Sequence, residues 1–183
     1  MVLILLQSIY FILPAYLANL APPLAKYFNL WPSLARPIDF NQTLKGQPLF
    51  GPTKTWRGLI IGPAVAILVA WGQKLTLVNS FFFKISLIDY DRINIFLFGA
   101  LMGSGAMMGD LLNSFIKRRL GKPSGSRWIP FDQLSFILGA LLFVSPIYFP
   151  SWLIILVTLI IGFLLHILFN HLGYYLKIQK RKW

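Results

Sequence analysis

Five stretches of this chain are apolar for close to the length of a membrane-crossing helix: 2–24, 58–78, 93–116, 131–149 and 152–173. No other feature limits the fold as much, because a hydrocarbon core about 30 Å thick asks for about 20 apolar residues per helix. The first stretch contains Pro14, Pro22 and Pro23, which are expected to interrupt it, and it lacks the basic flank of a cleaved signal, so it reads as a span. The last two are separated only by Pro150 and Ser151. Charged residues make up 12% of the chain, against about 25% in soluble domains. The expectation is an all-α integral membrane protein of about five transmembrane helices, with residues 1–183 forming one helical domain.

The basic residues set an orientation. Lys26, Arg36, Lys45, Lys54 and Arg57 lie between the first two spans, and Lys117, Arg118, Arg119, Lys122 and Arg127 between the third and fourth. Lys177, Lys180, Arg181 and Lys182 follow the fifth, which leaves Lys74, Lys84 and Arg92 for the other face. The positive-inside rule then puts the N-terminus outside and the two basic loops and the C-terminus in the cytoplasm of a plasma-membrane protein. The net charge of +12 also suits anionic lipid headgroups or a phosphorylated ligand, and no nucleic-acid partner is expected. Cysteine is absent, which excludes disulfides, a thiol nucleophile and a zinc–thiolate centre. Glutamate is absent too, so carboxylate chemistry falls to Asp39, Asp89, Asp91, Asp110 or Asp132.

Two of those aspartates sit in 109–136, GDLLNSFIKRRLGKPSGSRWIPFDQLSF. If the third span continues through Ile116, then Asp110, Asn113, Ser114 and Lys117 share one helix face. A carboxylate at the end of a membrane helix is costly unless it is paired, metal-bound or facing a wet cavity; the simplest arrangement here is an Asp110–Lys117 ion pair. Gly99, Gly103, Gly105 and Gly109 would let another helix approach the third span closely. Beyond them, Lys117-Arg118-Arg119 and the small residues of Lys-Pro-Ser-Gly-Ser-Arg offer cations and backbone N–H groups to an anion. Pro130 is placed to start a helix with Asp132 in its first turn, near Asp110. Two aspartates among several cations are the donor set of a metal-bound polyphosphate, and Mg²⁺ is commonly held by one or two carboxylates plus substrate phosphates.

The loop 25–57 is far longer than the usual two to eight residues between helices, and its Trp31, Phe40, Phe50 and Trp56 favour an ordered loop at the membrane surface. It ends in KGQPLFGPTKTWRG. Gly46 and Gly51 imitate the first Walker spacing, but Lys54 comes two residues late, which excludes a P-loop. Lys54, Thr55 and Arg57 remain able to present an ammonium, a hydroxyl and a guanidinium to a phosphate; the plainer alternative is a basic flank before the second span.

LFGPTKTWRG followed one span later by GDLLNSFIKRRLGKPSG and PFDQLSF resembles the CDP-archaeol synthases, relatives of the CDP-diacylglycerol synthases, over nearly the whole chain. That resemblance implies transfer of the cytidylyl group of CTP to a lipid phosphate, either an unsaturated archaetidic acid or a phosphatidic-acid-like lipid. Mg²⁺ is the implied cofactor, and a CDP-activated lipid and pyrophosphate are the products. It implies an active site built from loops 25–57 and 117–130. Lys117, Arg118 and Asp132 would be catalytic, Lys54, Thr55, Arg57, Ser114 and Arg119 would bind substrate, and Asp110 and Asp132 would bind metal. The related enzymes and the glycine face of the third span would allow a homodimer. The chain departs from the related pattern at Ser135, where a second acidic residue is expected three positions after Asp132, and more mildly at Gly-Pro-Thr before Lys54.

His166 and His171 fall on different faces of the last span and are expected to pack or lie at the interface, with Tyr174, Tyr175 and Trp183 as interface anchors. A transporter would need its ionisable residues at mid-membrane, whereas these collect at one face. A CDP-alcohol phosphotransferase would need an Asp-Gly, Ala-Arg pattern that is absent, and a non-catalytic scaffold of the same fold is the remaining alternative.

Overall fold

The computed structural model describes residues 1–178; Lys180, Arg181, Lys182 and Trp183, assigned above to the cytoplasmic tail and its anchor, lie outside them. The fold is helical, with α1 (Val2–Tyr27), α2 (Trp56–Thr76), α3 (Ser80–Ile85), α4 (Ile95–Arg119), α5 (Phe131–Val144) and α6 (Trp152–Tyr175). A two-residue antiparallel hairpin, β1 (Thr43–Leu44) and β2 (Gln47–Pro48), decorates the first long loop. Lys45 and Gly46 turn it with φ of 53° and 75°, the positive pair a two-residue hairpin turn demands.

Among the described residues, α1, α2, α4 and α6 are long and apolar enough to cross a membrane. The fourth expected span is shorter: α5 has 14 residues, which at 1.5 Å per residue covers about 21 Å, and a turn and an irregular stretch lead on to α6. Helix α1 runs unbroken through all three prolines. Pro14 has no N–H to give the Tyr10 carbonyl four residues back, and Gln73 Nε2 of α2 donates to that oxygen instead, at 2.6 Å. Gln73 in turn accepts from Tyr90 Oη at 2.8 Å, so the bond that repairs α1 also ties down the loop before α4.

Helix α4 lies at the centre, packed on α1, α2 and α5. Its glycines divide between two neighbours. A Cβ on Gly99 or Gly103 would lie 2.6 Å from Ile67 Cα or 2.5 Å from Pro63 Cα of α2. A Cβ on Gly105 or Gly109 would lie 2.4 Å from the Gly139 carbonyl oxygen or 2.1 Å from that of Ser135, on α5. Both sides of the glycine face are therefore covered within one chain, which removes it as a basis for a homodimer. Helix α6 is the opposite case, apolar nearly all round with few buried residues, as expected of a helix facing lipid.

Candidate active site

The helix connections bring the end of α1, the start of α2, the end of α4 and the start of α5 to one end of the bundle. Lys54 and Lys117 each form an ion pair there, and neither is the Asp110–Lys117 pair that helix spacing suggested. Lys54, from the first loop, binds Asp110 of α4. Lys117, two turns further along α4, instead binds Asp132 of α5, with Nζ 2.9 and 3.0 Å from its two oxygens. The carboxylate of Asp132 is completed by Asn113 Nδ2 at 2.8 Å and the Trp128 backbone N–H at 2.8 Å. Lys117 also donates to the Ser126 carbonyl oxygen, which draws the second loop over the pair. Asn113 and Ser114 are both buried beside these groups.

Arg118 stands out in this setting. The residue is only 4% exposed, and its Nε has no hydrogen-bond partner. A guanidinium is always charged, and a buried donor without an acceptor costs about 1–3 kcal/mol, more for a charged group. Such a side chain is stabilised by an anion that brings oxygen acceptors.

Three of the expected substrate ligands are engaged with backbone. Thr55 caps α2, accepting from the Gly58 N–H at 3.3 Å. Arg57 is buried and donates from Nη1 to the Leu30 carbonyl oxygen at 2.9 Å, fastening the start of α2 to the chain just after α1. Arg119 donates to the carbonyl oxygens of Leu44 at 2.7 Å, Gln47 at 3.1 Å and Pro48 at 2.5 Å, and its guanidinium carbon lies 5.2 Å from the centre of the Phe115 ring. The carbonyl or N–H that engages each side chain comes from a segment distant in sequence or from a helix start, where one-dimensional spacing does not show it; Arg119 Nε, like Arg118 Nε, is buried without a partner among the described residues.

Asp39 had no role from sequence. It is 4% exposed and sits in the first loop, with Oδ2 accepting from the Phe50 and Gly51 N–H groups at 3.0 and 3.1 Å and Oδ1 from Asn41 N–H at 3.1 Å. Burial pushes its carboxyl up, and the Phe50, Gly51 and Asn41 bonds outweigh that, so it lies below the ordinary carboxylate range. An Asp followed by turn residues in a long loop was the available signal. The two loops meet directly, Gly51 lying beside Ser124.

A cleft of about 50 Å³ opens beside the Lys54–Asp110 pair, walled by Pro22, Ile38, Leu59, Met107 and Leu111. That is far below the roughly 300–1,000 Å³ of established ligand pockets, so a large ligand requires the loop above it to move. Among the described residues no three carboxylate or imidazole groups cluster as a ready metal site. Asp110 and Asp132, one from each of two touching helices, are the carboxylates at hand, and each would take a metal in place of the lysine it now binds. They fit a hard dication that takes its remaining ligands from a bound phosphate. Ser135 Oγ is buried without a partner beside the Gly109 contact. His166 stacks on Phe136 and pairs with Asn170, and His171 bonds the Ile167 carbonyl within α6.

A family profile described as "CarS-like: CDP-archaeol synthase" matches residues 1–183. The chain is 33% identical over 180 residues to a CDP-archaeol synthase of Pyrococcus furiosus, an alignment covering 98% of each chain. It is 35% identical over 186 residues to that of Archaeoglobus fulgidus, again covering 98% of both. A solved structure described as an intramembrane enzyme for archaeal membrane lipids biosynthesis superposes with a TM-score of 0.66 at 28% identity, covering 89% of this chain and 92% of that one. With the match running from end to end, this multi-pass membrane protein belongs to the CDP-archaeol synthase family.

Proposed function

We propose that the chain is a membrane cytidylyltransferase that moves the cytidylyl group of CTP onto a lipid phosphate, giving a CDP-activated lipid and pyrophosphate. Membership of a synthase family supports the transferase class in lipid biosynthesis. The observation that carries the phosphate chemistry is the buried Arg118 guanidinium, whose Nε has no hydrogen-bond partner among the described residues, near the Lys117–Asp132 pair. Loops 25–57 and 117–130 form the site, on the cytoplasmic face, where the basic loops collect.

The lipid phosphate is already an anion near neutral pH and needs no general base. Its oxygen attacks the α-phosphorus of CTP in line; the bond to the bridging oxygen breaks, and the electron pair leaves with pyrophosphate. Lys54, Lys117 and Arg118 balance the charge that builds on the phosphoryl oxygens, and Arg118 supplies the planar fork that suits a phosphate. Asp110 and Asp132 are the residues to hold Mg²⁺, which when bound would polarise the phosphoryl group. Ser114 lines the same turn of α4, while Thr55, Arg57 and Arg119 build the site's walls.

The test is pyrophosphate release from CTP by the purified chain in lipid, with and without Mg²⁺, offered an ether-linked isoprenoid phosphate or a phosphatidic acid. Release that needs CTP, Mg²⁺ and a lipid phosphate together supports the assignment. Absence of release with either lipid at saturating CTP overturns it.

A further inference from the structure

The loop that delivers Lys54 is not held by its own secondary structure. Its hairpin has two residues per strand, and the Gly51–Lys54 turn is closed by one bond, Lys54 N–H to the Gly51 carbonyl at 3.1 Å. Gly51 itself has φ of +102°, a conformation that side-chain-bearing residues rarely adopt. On its far side, Lys54 offers its carbonyl oxygen to the Ile38 N–H at 2.9 Å. Both anchors of Lys54 thus return to one place: Ile38 precedes Asp39 in the chain, and the Gly51 N–H is bonded to the Asp39 carboxylate at 3.1 Å. Among the described residues Asp39 makes no ion pair; three backbone N–H groups surround it. Those donors call for an acceptor-only, charged side chain. An asparagine of the same shape would turn an NH₂ group toward at least one N–H and lose the charge-assisted bonds.

We propose that Asp39 is a positioning residue: its carboxylate sets the Gly51–Lys54 turn and through it holds the Lys54 ammonium at Asp110 of α4. The catalytic consequence rests on the cytidylyl-transfer reading above; the geometric one does not. Nothing in Asp39 touches the reacting groups, since the Phe50, Gly51 and Asn41 N–H groups take up its oxygens. Its effect on turnover is therefore indirect: Gly51 also meets Ser124 and Phe50 meets Phe115, but Lys54 is the route that reaches a charged group of the site.

Two readouts on the full chain in lipid test this. The first follows modification of Lys54 by an amine-acylating reagent, which the Asp110 pair slows. Asp39→Asn is expected to speed labelling of Lys54 at least threefold while leaving Lys84, at the opposite end of the bundle, unchanged. The second is a double-mutant cycle on CTP turnover. Asp39→Asn is expected to lower kcat/KM about tenfold or more alone, and to add nothing in a Lys54→Gln background. A general folding role would multiply the two losses. Unchanged Lys54 labelling in Asp39→Asn overturns the proposal, as does a multiplicative cycle. If the wild type turns over no CTP, the functional reading fails and the labelling arm alone decides the role of Asp39. Should Asp39→Asn fail to accumulate, Asp39→Glu carries the same two tests, because it keeps the charge and displaces the oxygens by one methylene.

Discussion

At the level of single residues, Asp132 has the most to lose. Its carboxylate takes bonds from Lys117, Asn113 and Trp128, and the Lys117 side chain is only 8% exposed. Asp132→Asn is expected to cut pyrophosphate release at least about 100-fold, the scale on which a single electrostatic contact acts in a transition state. It also leaves a buried ammonium short of its counter-charge, worth about 3 kcal/mol, which a lowered Tm in detergent would report. Arg118→Lys keeps the charge but not the fork, and is expected to raise KM for CTP about tenfold with little change in Tm. The pH response belongs to Asp39. Its folded carboxyl lies below its unfolded value, so its contribution is complete above about pH 4 and is lost as pH falls through the lower folded value. Amide exchange at Phe50 and Gly51 should be protected from neutrality to about pH 4 once intrinsic rates are divided out, and should lose protection below that. The sequence pointed to Asp110, Asp132 and the Lys/Arg set by residue type, by helix-face spacing and by the motifs that resemble the family. It could not show which lysine meets which aspartate, because that depends on where α5 and the first loop land against α4.

Among the elements, the helices were legible because long apolar runs leave few alternatives in a membrane. What went unseen has a local physical cause in each case. Helix α3 is one and a half turns and falls below any periodicity signal. The hairpin is visible only as a Lys-Gly turn, and the continuity of α1 through Pro14 depends on Gln73, 63 residues away from Tyr10. The glycines offer a clean test of element packing. Gly109→Ala and Gly103→Ala drive a methyl into backbone of α5 and α2, and each is expected to destabilise by about 1–3 kcal/mol on thermal unfolding. Gly72→Ala, with nothing within 4 Å of its added carbon, should be neutral or stabilise by up to about 1 kcal/mol. Equal losses at all three positions would contradict the packing described for α4.

For the molecule as a whole, the placement of the basic loops makes sidedness measurable, and the absence of cysteine makes the measurement clean. Gln42→Cys, in the first loop, should react with an impermeant maleimide only from the cytoplasmic side, and the well exposed Val78→Cys only from outside. Reversed labelling would invert the orientation and move the site to the other face. The contacts along α4 also carry a mechanical consequence. Where helices meet through side chains, a small slide is absorbed by rotamer changes; where they meet backbone to backbone on two opposite flanks, no soft layer exists to absorb it. Helix α4 is in that sense a stiff strut, and it presents Asp110, Asn113 and Lys117 at fixed height. Any ligand larger than the cleft of about 50 Å³ then has to displace the chain around the hairpin, which meets the strut through Arg119, the Lys54 pair and the Phe50–Phe115 ring contact.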